Sequence, residues 1–90
     1  MVEKAVIVGA GGHCRVILSV LKHFNNYQVI GVADRDASTF GEVIGENYIN
    51  CTWEDLNNLH EKGVSAAFIA VGENELRSQL FRKMKKIGFN

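Results

Sequence analysis

The run Ala5-Val6-Ile7-Val8, followed at once by Gly9-Ala10-Gly11-Gly12, constrains this chain more than any other segment. A short apolar run rich in β-branched residues, without polar alternation, suits a strand covered on both faces. From His13 to Phe24 the apolar residues then fall at 14, 17, 18 and 21, with 16, 20 and 24 alongside. That is helical spacing with a broad face expected to be buried. A buried strand that passes through glycines into a helix is the opening unit of a parallel α/β sheet.

The rest of the chain continues the alternation. Asn25-Asn26 is expected to close the first helix, because asparagine tolerates the left-handed position after a helix end. Tyr27 to Ala33 reads as a second strand, ending at Asp34-Arg35-Asp36. Residues 37–50 resist assignment, and 41–45 fit either a short strand or an ordered loop. Thr52-Trp53-Glu54-Asp55 has the form of a capped helix start, with Thr52 as the cap, and the helix runs to about Lys62 before Gly63. Ala66 to Val71 is a third buried strand. A long helix follows from Glu75 to Ile87, acidic at its start and carrying Arg82, Lys83, Lys85 and Lys86 near its end. That polarity complements the helix dipole, and Gly88 is the expected stop. The basic cluster thus has a structural reason and does not call for nucleic acid. The expected fold is α/β: one small Rossmann-like domain over residues 1–90, in three layers around a mainly parallel sheet.

Composition narrows the function classes. Lysines and arginines balance aspartates and glutamates at ten each, so no overall charge points to nucleic acid or to an anionic membrane surface. No apolar stretch approaches a membrane span, and no signal peptide is visible. Cys14 and Cys51 form neither a metal-binding nor a redox pattern, and two such thiols suit a reducing cytoplasm. Proline is absent, so turns must draw on glycine, asparagine and aspartate.

The glycine turn carries the chemistry. A helix N-terminus presents unpaired amide donors, and glycines before it let a phosphate approach the backbone without meeting a Cβ. Gly9, Gly11 and Gly12 meet that requirement, and His13 is placed to donate to a phosphate or sugar oxygen. A tight turn without ligand, and a plain helix-start histidine, are the competing readings. Asp34, with Arg35 beside it, follows the second strand where an acidic side chain reaches ribose hydroxyls, or else is an exposed loop carboxylate. Gly72 falls at the same sheet edge. The dinucleotide pattern Gly-x-Gly-x-x-Gly is incomplete, since Cys14 stands at its third glycine. An NAD-type domain and a non-catalytic interaction domain are therefore alternatives to a nucleotide-sugar site.

Val6-Ile7-Val8-Gly9-Ala10-Gly11-Gly12-His13-Cys14-Arg15-Val16 resembles the opening of the sugar O-acyltransferase family, which includes sialic-acid O-acetyltransferases and amino-sugar N-acetyltransferases. A second match is Ala67 to Arg77, followed by Lys86-Ile87-Gly88-Phe89. The resemblance implies an N-terminal Rossmann-like domain that holds a nucleotide-sugar, expected to be UDP-linked. It also implies a C-terminal left-handed β-helix of hexapeptide repeats that binds acetyl-CoA, carries the catalytic histidine and builds a homotrimer. Carried over by position, Gly11, Gly12 and His13 meet the ligand with Asp34 nearby, and Gly72, Asn74, Glu75 and Arg77 complete the pocket. No hexapeptide repeat is present. The chain is therefore expected to be a piece of a longer acetyltransferase that binds without catalysing, with no catalytic residue and no metal ligand of its own. His23 and His60 lie near helix ends and outside any repeat, so neither replaces the missing general base.

Overall fold

The protein is seen as a computed structural model that describes residues 2–89 apart from Gly11, Asn25, Asp36, Gly45 and Glu46. In chain order the elements are β1 (Glu3–Val8), α1 (Gly12–Lys22), β2 (Tyr27–Asp34), a 3-10 turn (Ala37–Thr39), β3 (Val43–Ile44) and β4 (Asn47–Thr52). A second 3-10 turn (Trp53–Asp55) leads into α2 (Leu56–Glu61), and β5 (Ala66–Ile69) and α3 (Asn74–Ile87) complete the chain. The sheet order is β3-β4-β2-β1-β5, parallel throughout except for the antiparallel pair β3–β4. The chain steps outward from β1 to β2 to β4, then returns to place β5 on the other side of β1.

β1 is an interior strand, flanked by β2 and β5, as its unbroken apolar run requires. Ala5, Val6, Ile7 and Val8 are all fully buried, and burying each of the three larger side chains contributes about 1.5–3 kcal/mol. Val6 and Val8 face a cluster with Leu56 of α2 and Leu80 and Met84 of α3. Ile7 faces the opposite cluster with Cys14 and Leu21 of α1. Helices on both faces of the sheet make the three-layer Rossmann-like arrangement.

The structure departs from the sequence expectations in four places. Only one stripe of α1 is covered: Cys14 and Leu21 are buried, Ile17 and Leu18 pack beside them, and Val16, Val20 and Phe24 are exposed. The i, i+4, i+8 row at 16, 20 and 24 lies on the solvent side of that stripe. The helix end is closed by the bonds His23 N–H to Val20 O (3.1 Å) and Phe24 N–H to Leu21 O (3.0 Å), a tightened last turn. Asn26 is not left-handed, and Asn25 lies outside the described residues. The third strand of the sequence reading ends at Ile69, two residues early, with Ala70 N–H making the last bond to β1, to Val8 O.

The fourth difference is β4, a strand that the sequence left unassigned; β3, the short strand that residues 41–45 allowed, pairs with it in an antiparallel hairpin. Gly41 N–H donates to Ile49 O (2.8 Å) and Ile49 N–H to Glu42 O (3.0 Å), which docks the segment before β3 onto β4. β4 then pairs with β2, but the register skips Asn50, as the β1–β2 register skips Ile30. The two skipped residues meet, with Asn50 Nδ2 donating to the Ile30 carbonyl at 3.3 Å. The Asn50 side chain crosses Gly31 so closely that a Cβ there would strike it. Each bulge reverses which face the following residues point to. Ile49 accordingly packs on the α1 side and Cys51 on the α2/α3 side.

Candidate functional site

The strand order reverses between β1 and β5, and the carboxyl edge of an open sheet at such a switch point is where ligands bind. β1 and β5 are tied up to their ends, with Ala70 N–H donating to Val8 O (2.8 Å) and Gly9 N–H donating to Ala33 O (2.8 Å) on the β2 side. Gly9 has φ +112, and a Cβ on it would lie 2.9 Å from both the Ala70 carbonyl oxygen and Val71 Cγ2. The first glycine is thus required by its own backbone and by the neighbouring loop. α1 begins at Gly12, directly after the turn, so its first-turn amide donors, which have no acceptor within the helix, open onto this edge. Cys14 is fully buried against the sheet, in the place where the dinucleotide pattern has its third glycine. Burial pushes its thiol up to about 11, with Arg15 opposing the shift, so it is no nucleophile at neutral pH.

Asp34 ends β2 and is half-buried, and its Oδ2 accepts a hydrogen bond from Thr39 Oγ1 at 2.7 Å. That bond fixes the carboxylate from the 3-10 turn behind it. Arg35 is exposed, with its guanidinium carbon 4.8 Å from the centroid of the Trp53 ring. Between these groups and the β1–β5 switch lies a cleft of about 400 Å³, lined by Gly9, Ala10, Asp34, Arg35, Trp53, Ala70, Val71, Gly72 and Leu76. A second hollow of about 510 Å³ opens on the other side of Asp34, walled by Arg15 and by Glu42, Val43 and Ile44 of the hairpin.

The structure brings together most of the residues that the sequence singles out. Gly9, Asp34, Arg35 and Gly72 line one cleft. His13, in the first turn of α1, sits with its ring against Gly72, since a Cβ there would lie 3.4 Å from its Cδ2 and Nε2. Gly12 starts α1, and Gly11 lies outside the described residues. Asn74 and Arg77 are paired with each other instead, Arg77 Nη2 donating to Asn74 Oδ1 at 2.6 Å. Arg77 borders a separate hollow with Ser78, Phe81 and Arg82, while Glu75 is exposed in the first turn of α3 and lines none of these spaces. Trp53, Thr39 and Glu42 were not among the site residues that the sequence singles out. Trp53 stands out there only as the single tryptophan beside a helix start, and Thr39 and Glu42 carry no signal before the fold places them.

Among the described residues no group of histidine, cysteine, aspartate and glutamate side chains could hold a metal ion, and no helix is long and apolar enough to cross a membrane.

Comparison with curated proteins finds no match. Among solved structures, a perosamine N-acetyltransferase from Caulobacter crescentus, in complex with CoA and GDP-perosamine, is 32% identical. The match covers 99% of this chain and 40% of that one, with a TM-score of 0.82. The acetyltransferase domain of PglB from Neisseria gonorrhoeae, in complex with acetyl coenzyme A, is 27% identical, covering 99% and 42%, with a TM-score of 0.77. A Rex-family repressor superposes with a TM-score of 0.76 at 14% identity, which shows a shared fold alone. The chain thus spans about 40% of the length of the acetyltransferases it matches. The family model described as the PglD N-terminal domain matches residues 4–84, nearly the whole Rossmann-like unit from β1 into α3, and the chain belongs to that family.

Proposed function

We propose that this chain is the nucleotide-sugar-binding domain of a sugar acetyltransferase. The observation that carries the reading is the meeting of the Gly9–His13 turn with Gly72 at the switch point of a PglD N-terminal domain. The diphosphate would lie at the start of α1, where the first-turn amide donors have no acceptor within the helix and the glycines leave room. His13, held against Gly72, would donate to a phosphate or sugar oxygen. Asp34, fixed by Thr39, would accept from a ribose hydroxyl. Arg35 and Gly72 wall the same cleft, while Asn74, Glu75 and Arg77 would contribute by shaping the start of α3.

Transfer requires a general base within hydrogen-bond reach of the attacking amine or hydroxyl. The reading places that base and the acetyl-CoA outside these 90 residues, in a β-helix that also builds the homotrimer. The two buried thiols fit a cytoplasmic enzyme. The resemblance favours a UDP-linked sugar, whereas the 32%-identical structure contains GDP-perosamine. Both offer the groups that the turn and Asp34 recognise, a diphosphate and a ribose.

Calorimetry on this chain with UDP-amino-sugar, GDP-sugar and NAD tests the reading. Nucleotide-sugars are expected to bind, and Gly12→Val to abolish binding with the melting transition retained. NAD binding more tightly than either nucleotide-sugar would overturn it in favour of an NAD-type domain.

A further inference from the structure

We infer that Trp53 and Arg35 form a shelf on which the base of the nucleotide stacks, an inference that rests on the nucleotide-sugar reading above. The argument starts from strand register. Asp34 of β2 and Thr52 of β4 are partners in the parallel ladder, so Arg35 and Trp53 are the first residues beyond it and leave the sheet side by side. The Arg35 guanidinium carbon lies 4.8 Å from the Trp53 ring centroid, within cation–π range. Trp53 is half-buried against the core formed with α2 and α3, whereas Arg35 is exposed and lines the cleft. A flat group entering the cleft meets a planar guanidinium backed by an indole, and guanidinium planes stack on aromatic rings.

The indole nitrogen strengthens the case. Trp53 Nε1 is buried and has no hydrogen-bond partner among the described residues. A buried donor without an acceptor is a cost that phenylalanine or leucine would avoid in the same space. Packing alone therefore gives no reason for a tryptophan here, and its broad π face against Arg35 does.

The position also fits the length of a nucleotide. The glycine turn follows β1, Asp34 ends β2 and Trp53 follows β4, three strands adjacent in that order and about 4.8 Å apart. With phosphates at the turn and a ribose hydroxyl at Asp34, the base falls one strand further along the edge, on the shelf. The hold is on the plane of the base, so it serves uracil and guanine alike.

Trp53 is the single tryptophan of the chain, so its emission reports on the shelf. The 90-residue chain is titrated with UDP and with GDP, following tryptophan emission and calorimetric heat together. Emission is expected to change in step with the heat. Arg35→Lys, which keeps the charge and loses the plane, is expected to weaken both nucleotides about tenfold, a loss in the range of base stacking. Arg35 is exposed, so this variant should fold, and an unchanged melting temperature checks that it does. Nucleotide binding seen by calorimetry with unchanged Trp53 emission, or with Arg35→Lys binding as tightly as the parent, overturns the shelf and leaves the nucleotide-sugar reading standing. No heat with either nucleotide overturns both.

Discussion

A methyl group added at Gly9 would meet the Ala70 carbonyl oxygen at 2.9 Å, on a backbone whose φ of +112 already excludes most side chains. Gly9→Ala is therefore expected to destabilise the chain by about 2 kcal/mol or more. Urea unfolding should show a lower midpoint with an unchanged slope, and an unshifted midpoint would contradict the geometry. The two thiols give a second prediction at this scale. Burial raises Cys14 to about 11, and burial with the nearby Asp55 raises Cys51 to about 11, from the ordinary value of 9.0. Between pH 9 and 11 the unfolded chain loses thiol protons that the folded chain keeps. The stability that these groups contribute is thus full below pH 9 and lost as pH rises through 11. A chemical-denaturation series across that window should show the decline, and Cys14→Ala/Cys51→Ala should flatten it. The residues of the turn were legible because glycine before a helix has few other uses. Trp53 was not, because its significance depends on lying beside Arg35, eighteen positions away in sequence and adjacent only through strand register.

Helix ends were readable at the scale of elements because their signals are local. Thr52 does precede the turn into α2, and the Asp55 carboxylate accepts from the Thr52 N–H (2.8 Å) and hydroxyl (3.1 Å). Gly88 takes the left-handed position after α3, and its N–H donates to Met84 O (3.1 Å). Replacing Asp55 by alanine is expected to cost about 1 kcal/mol, as loss of a capping carboxylate does. A shift in thermal midpoint of several degrees would register it. β4 had no comparable local signal. Its two inward residues, Ile49 and Cys51, point to opposite faces because the Asn50 bulge lies between them. The buried–exposed alternation continues through Asn50, but the bulge sends the two buried side chains to opposite faces, which no local pattern announces.

For the whole molecule, the radius of gyration of 11.9 Å matches the roughly 12 Å of a compact chain of this length. Clusters on both faces of the sheet give it a core of its own, so the chain is suited to binding measurements by itself. A domain of this size is only modestly stable, which makes ligand binding easy to detect. At a hundredfold excess over the dissociation constant, a nucleotide-sugar is expected to add about 2.7 kcal/mol. The melting temperature should rise by several degrees. A melting temperature that no nucleotide moves would favour the interaction-domain alternative over a binding domain.

The sequence by itself determined the β1–turn–α1 unit, the alternation of strands and helices and most helix ends. These follow from contacts within a few residues of each other and from an apolar run that only an interior strand can bury. The tertiary structure decided what lies beyond such reach. It decided that the hairpin adds two strands to the sheet, that Val16, Val20 and Phe24 face solvent, and that Arg77 turns to Asn74. It alone brought His13 to Gly72 and Arg35 to Trp53. Those meetings depend on register between strands, and register is fixed by bulges and by packing across the sheet.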